Sequence, residues 1–209
     1  MVIILLEGLN IQKGSNNMNF IKTSMPEIVI VEPRVHGDSR GYFVEAFRKD
    51  KLEEFLGYKI DFTQDNESKS SYGVLRGLHY QLPPFAQTKL VRAVSGKILD
   101  IAVDIRKGSP TFGKHIAVEL SDENKRQLLI PRGFAHGFLT LEDDTVVSYK
   151  VDSYYSYEHD RGVAYDDPFI GINWKIEADK LLLSDKDKKQ PKLNETNELF
   201  EFGVDYYAR

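Results

Sequence analysis

The run Val74-Leu-Arg-Gly-Leu-His-Tyr-Gln81 places an arginine, a histidine and a glutamine around one glycine, in sequence that otherwise reads as a β-strand. A histidine can take and return a proton near neutrality, and an arginine binds phosphate oxygens two at a time. Side chains alternate faces along a strand, so Arg76 and His79 should point to opposite sides. If both serve one site, Gly77 must permit a bulge or bend between them.

Parity along other candidate strands adds polar groups to apolar faces. Lys89 shares a face with Val91 and Ala93, His136 with Phe134 and Phe138, and Tyr149 with Val147 and Val151. Each alone has a bland explanation: a hydrogen-bonded core histidine, a lysine that extends to solvent, a tyrosine that packs its ring. Together they put an ammonium, an imidazole and a phenol on one interior, where polar groups need partners or a purpose. A metal is not expected there. Small barrels that hold iron or manganese use a His-x-His pair, a carboxylate and a third histidine, whereas the pair here reads His79-Tyr-Gln81, too few imidazoles for such a site.

The elements that must position these residues are short runs of valine, isoleucine and aromatics punctuated by glycine, proline and aspartate, which predict an all-β sandwich or barrel. Strands are expected at 28–31, 41–47, 74–81, 89–94, 98–105, 115–120, 127–130, 138–141 and 145–151. Leu52, Phe55 and Leu56 at helical spacing, with Gly57 as a stop, predict a helix over 50–56, and a second is expected after Glu177. Residues 1–17 read as a loose extension, Met18 as an alternative start, 18–190 as the working domain, and 191–209 as an aromatic tail that packs on the domain or on a partner. The Lys186–Lys189 stretch reads as solvated surface.

Composition narrows the function. The 209 residues are 41% hydrophobic, enough for one sizeable core. The 28 basic residues fall short of the 32 acidic ones, for a formal charge of −4, without the basic excess that nucleic-acid binding demands. No cysteine is present, so disulfides, thiolate metal sites and cysteine nucleophiles are excluded together. The apolar run Met1–Leu6 is far shorter than a membrane span and has no preceding basic residues, so no membrane association is expected and the cytoplasm is the default compartment.

In chain order the sequence carries Asp38-Ser-Arg-Gly-Tyr-Phe-Val-Glu45, Gln64-Asp-Asn-Glu-Ser68, the Val74–Gln81 run and Lys89-Leu-Val91. Then follow Asp104-Ile-Arg-Lys-Gly-Ser-Pro-Thr-Phe-Gly113, Ile130-Pro-Arg-Gly-Phe-Ala-His-Gly-Phe138, Tyr149-Lys150, Asp166-Asp-Pro168 and Leu183-Ser-Asp-Lys-Asp187. This series, from about Met18 to Lys188, resembles the dTDP-4-dehydrorhamnose 3,5-epimerase family.

The resemblance implies a cupin-type antiparallel β-barrel (jelly roll) with a few short helices. It also implies a cofactor-independent inversion of dTDP-4-dehydro-6-deoxy-D-glucose at C3 and C5, in dTDP-L-rhamnose synthesis. By resemblance His79 is the base, Asp187 its partner carboxylate, Tyr149 the acid on the opposite face, and Lys89 the donor to the enolate oxygen. His136 would assist at the sugar, Arg40 and Arg76 would bind the diphosphate, and Glu45, Gln64 and Asn66 the nucleotide, with Tyr155 stacked on thymine. Phe43 and Lys186 complete the expected binding set. Asp160 stands where the family often has glutamate, and the shorter side chain has less reach to make that contact. A homodimer is implied, with β-structure shared between subunits and the neighbour completing each nucleotide site. Three rival readings are a single-centre epimerase on a related nucleotide sugar, against which Tyr149 argues, a non-catalytic sugar-nucleotide-binding barrel, which would need no facing acid and base, and a metal-dependent cupin oxygenase, which Gln81 opposes.

Overall fold

In the computed structural model, which describes residues 11–12 and 18–208, short strands follow one another for most of the chain. They are β1 (Ile11–Gln12), β2 (Met18–Lys22), β3 (Val29–Pro33), β4 (Val35–Asp38) and β5 (Gly41–Val44), then helix α1 (Lys49–Leu56). After it come β6 (Gln64–Ser70), β7 (Leu75–Gln81), β8 (Lys89–Ser95), β9 (Lys97–Asp104), β10 (Arg106–Lys107), β11 (His115–Ser121), β12 (Gln127–Ile130), β13 (Phe134–Thr140) and β14 (Thr145–Val151). Two short strands close the series, β15 (Asp160–Gly162) and β16 (Phe200–Glu201). The expected loose extension at 1–17 lies outside the described residues apart from β1, which pairs antiparallel with β2.

Two antiparallel sheets face each other as a jelly roll. One has the order β1-β2-β3-β12-β8-β14-β6 and the other β11-β9-β13-β7-β15. Between them lies an apolar layer in which Ile30, Val91, Leu128 and Val147 of the first sheet meet Ile98, Ala102, Phe134 and Phe138 of the second. The sequence parity is therefore realised: the hydrocarbons that share faces with Lys89, His136 and Tyr149 are the interior ones. The outer face of the seven-stranded sheet is covered by α1 through Leu52, with Ile60 beside it, and Gly57 ends that helix in the left-handed region at φ 77°. The outer face of the five-stranded sheet is covered by the C-terminal third: Val163, Ile170, Trp174, Leu193 and Phe200 pack on Leu75, Leu99, Ile101, Val103 and Leu139. The tail is thus folded onto its own domain, with β16 parallel to β10 and Tyr80 donating to the Glu198 carbonyl.

Three expectations change. The strand expected over 41–47 ends at Val44 and pairs with β4 in an exposed hairpin that joins neither main sheet. The helix expected after Glu177 is a single 3₁₀ turn, Ala178–Lys180. Residues 186–189 are not simply solvated surface, since Asp187 is buried at the start of a 3₁₀ turn.

Gly77 does bend its strand. His79 is registered with His136 and Arg76 with Phe138, so three steps along β7 match two along β13, the mark of a one-residue bulge. At φ 126° the position is strained for any residue with a Cβ, which here would lie 2.6 Å from the Gly137 Cα and 2.8 Å from the His136 carbonyl oxygen. The bulge lets Arg76 and His79 line the same cavity.

Candidate active site

A cavity of about 670 Å³ opens between the two sheets at the β6 edge. Its walls combine His79 and Arg76 from β7 and His136 from β13 with Lys89 from β8, Tyr149 from β14 and Asn66 from β6. The segment 182–187 closes one side and brings Asp187 and Lys186. A smaller space of about 150 Å³ adjoins it, sharing Asn66, His79, Lys89 and Tyr149 and adding Gln64, Tyr155 and Asp160. Residues from 64 to 187 in the sequence therefore meet in two connected compartments.

His79 Nε2 lies 2.5 Å from Asp187 Oδ1. If that carboxylate accepts the Nε2 proton, the imidazole lone pair is on Nδ1, ready to accept another. Burial alone would raise the Asp187 pKa, but its hydrogen bonds to His79, Ser184 and the Gly77 amide outweigh this and hold the carboxyl below its usual range. Asp187 thus stays ionised while it orients the ring. The same bulge that turns His79 inward thereby also supplies its carboxylate with a backbone donor.

Lys89 is buried, and its ammonium reaches across to the His79 carbonyl oxygen at 3.4 Å. Burial pulls its pKa down from the usual 10.5 to about 8, against the attraction of Asp160 and Asp100. Tyr149 stands on the sheet that faces His79, and burial raises its pKa, so its phenol remains a proton donor at neutrality. His136 Nε2 is 2.7 Å from Oδ1 of Asp100, which is completely buried on β9. Burial lowers the His136 pKa although Asp100 pulls it upward, so the ring is favoured as a neutral hydrogen-bonding group.

Asp100 escaped the sequence reading. Its signal was present, because it shares parity with the interior residues Ile98 and Ala102 in an otherwise apolar strand. Ser184, which supports Asp187, and Ser68 on the cavity wall were also passed over, although both lie in motifs singled out above.

The remaining binding candidates divide. Arg76 stands at the exposed mouth with its guanidinium donating to the Ser70 hydroxyl at 3.2 Å. Gln64 donates to Asn66 at 2.8 Å. Asp160 accepts from the Tyr155 hydroxyl at 2.9 Å and pairs with Lys186, joining three expected binding residues in one cluster. Arg40 and Phe43 are elsewhere: both lie on the β4–β5 hairpin around a separate hollow of about 380 Å³, with Arg40 paired to Asp38. Glu45 follows the hairpin and pairs with Arg48 at 3.5 Å. Lys125 anchors the hairpin, its ammonium 4.3 Å from the centre of the Tyr42 ring and 2.9 Å from its hydroxyl. Among the described residues, no cluster of three or more His, Cys, Asp or Glu side chains is placed to hold a metal ion.

The sequence profile of dTDP-4-dehydrorhamnose 3,5-epimerase matches residues 22–195. The chain belongs to the dTDP-4-dehydrorhamnose 3,5-epimerase family. A family member from Shigella flexneri is 56% identical over 170 residues, 81% of this chain and 93% of the relative. The crystal structure of the Legionella pneumophila dTDP-6-deoxy-D-glucose-3,5-epimerase in complex with dTDP-4-keto-L-rhamnose superposes with a TM-score of 0.86. It is 45% identical, and the match covers 90% of this chain and all of that one. A 3'-monoepimerase from Streptomyces bikiniensis, solved with dTDP-quinovose, is also similar, at 35% identity and a TM-score of 0.78, covering 83% of this chain and 87% of that one. The fold expected from the family, a cupin-type antiparallel barrel, is the one observed.

Proposed function

We propose that this chain inverts dTDP-4-dehydro-6-deoxy-D-glucose at C3 and C5 to give dTDP-4-dehydro-L-rhamnose, in dTDP-L-rhamnose synthesis. The observation that carries the reading is the convergence of the His79–Asp187 pair, Lys89 and Tyr149 on one cavity between facing sheets. A hydrogen on carbon next to a ketone becomes acidic when the resulting enolate is stabilised. His79 takes that proton, and the C–H electron pair moves into the C4 enolate. The Lys89 ammonium opposes the new charge on the C4 oxygen, a role worth about 3–4 kcal/mol for one preorganised donor. Tyr149, from the opposite sheet, returns a proton to the other face of the carbon as the ketone re-forms. Proton exchange with solvent then resets both residues, and inversion follows because base and acid lie on opposite sides of the sugar.

His136, oriented by Asp100, serves as a hydrogen-bonding group to the sugar. Arg76 binds the diphosphate at the cavity mouth, and Gln64, Asn66, Tyr155, Asp160 and Lys186 line the way to the nucleotide. No redox or metal step is needed to balance this chemistry, which supports cofactor independence. The β4–β5 hairpin supports a homodimer: Tyr42 and Phe43 are exposed apolar groups on a projecting strand pair, with Arg40 beside them. In that assembly the hairpin of each subunit delivers Arg40, Phe43 and Glu45 to the partner's nucleotide. Among the described residues no helix is long and apolar enough to cross a membrane; together with a nucleotide-linked substrate this favours the cytoplasm.

The likeness to a monoepimerase favours one second reading, exchange at a single carbon. Proton NMR of the substrate in D₂O with EDTA-treated enzyme separates the two. Deuterium is expected at both C3 and C5, with the L-rhamno product trapped by a reductase. Exchange at one carbon alone establishes the second reading, and none at all points to a binding barrel.

A further inference from the structure

Residues 153–156 form neither helix nor strand, yet three glutamines tie all four of them at the backbone. Gln87 Nε2 donates to the Ser153 carbonyl oxygen at 2.8 Å. Gln81 Nε2 donates to the Tyr154 carbonyl at 3.1 Å and to the Phe85 carbonyl at 2.7 Å, while its Oε1 accepts the Ser156 N–H at 2.7 Å. The Tyr155 N–H donates to Gln64 Oε1 at 3.3 Å. The side chain of Gln81 is almost wholly buried, whereas that of Tyr155 is exposed over the smaller compartment.

An exposed aromatic on an irregular loop loses conformational freedom when a ligand stacks on it, and that loss is subtracted from affinity. Fixing the backbone on both sides of the aromatic beforehand removes much of the loss. Only a primary amide can donate to two carbonyls and accept an N–H from one planar group, which is the set of partners Gln81 meets. We infer that Gln81 is a positioning residue: it acts through the 153–156 backbone to hold the Tyr155 ring, and so sets how tightly the nucleobase end of the substrate is bound. The inference rests on the proposed reading of Tyr155 as a platform for that base.

Gln81→Glu tests it, since the variant keeps the acceptor for Ser156 but sets a carboxylate oxygen against the carbonyls of Phe85 and Tyr154. Wild type and variant are titrated by calorimetry with dTDP and, separately, with inorganic pyrophosphate, and turnover is measured at saturation. The dTDP Kd and the KM should rise about tenfold, the weight of one ordinary hydrogen bond. Pyrophosphate binding and kcat should stay within about twofold. Unchanged dTDP affinity, equal weakening of pyrophosphate, or a fall in kcat matching the rise in KM would each overturn the inference. Should Gln81→Glu not fold, Gln87→Leu, which removes only the bond to Ser153, decides in its place: a rise of about two- to threefold in the dTDP Kd is expected, and none overturns the inference. Wild-type protein that binds no dTDP sinks the epimerase reading itself and this inference with it; normal wild-type binding that Gln81→Glu leaves untouched sinks the inference alone.

Discussion

His79, Lys89, His136 and Asp187 make their hydrogen bonds inside the molecule, between two sheets and a closing segment, with side chains that have few places to go. Arg40, on the β4–β5 hairpin, has a side chain 88% exposed, and its neighbours Tyr42 and Phe43 are also open to solvent. Both regions belong to the proposed site, under different physical conditions. Burial within one chain lowers the proton affinity of Lys89 and His136, whereas the hairpin groups stand in solvent. On the proposed reading, chemistry is prepared within the fold, while nucleotide recognition is left partly to assembly.

Replacing the base should break this contrast most sharply. His79→Ala is expected to reduce deuterium exchange at C3 and C5 by about 10³-fold or more, near the upper end for a general base, with the protein still folded. Near-normal exchange in that variant would remove His79 from the mechanism. Lys89→Met should cost on the order of 10²–10³ in kcat and yet stabilise the fold, because a buried ammonium is a burden until the enolate forms. The gain, on the order of 1–3 kcal/mol at neutral pH, is measured by urea unfolding.

The sign of the lysine effect with pH follows from the same shift. Lys89 releases its proton near pH 8 when folded and near 10.5 when unfolded, so the unfolded chain holds more protons between those values. The destabilisation is full below pH 8 and fades as pH rises toward 10.5, and Lys89→Met should flatten that part of the stability curve. Over the start of the same window, kcat/KM should fall as the ammonium is lost.

Tyr149→Phe should have a smaller and more selective effect. Proton removal continues, while delivery at C5 drops by about 10², the lower end for a general acid, seen by NMR as a product distribution shifted away from the doubly inverted sugar. Arg40→Ala should do least, raising KM about tenfold with kcat retained and with stability changed by less than about 0.5 kcal/mol. A large loss of kcat in Arg40→Ala would erase the distinction between the two regions.

Strands with one apolar face were legible in the sequence, and β8, β12 and β14 fall within a residue of their expected limits. β6 was not, for a functional reason: its inward positions are Gln64, Asn66 and Ser68, because the strand borders a polar cavity. A hydrophobic alternation cannot mark a strand whose inner face borders a polar cavity. The hairpin failed in the opposite sense, since Gly41–Val44 has the composition of a core strand but lies outside both sheets. The bulge at Gly77 was legible as a requirement, from the parity of Arg76 and His79. Asp100 was legible only in hindsight, as a lone carboxylate on an interior face whose partner, His136, lies on the neighbouring strand. Parity gives the face a residue occupies and leaves its partner unspecified.

Among the described residues, all twelve strands of the two sheets end by Gly162, whereas Asp187 and the residues that cover the outer face of the five-stranded sheet come later in the chain. During synthesis the strands therefore leave the ribosome before the segment that shields them, with Leu99, Ile101 and Val103 still in contact with water or a chaperone. His79 acquires the Asp187 carboxylate only when that segment docks. Under the proposed mechanism, sealing of the fold and arming of the catalyst are one late event, so a nascent or partly degraded chain that exposes aggregation-prone strands is also one that cannot turn over a nucleotide sugar.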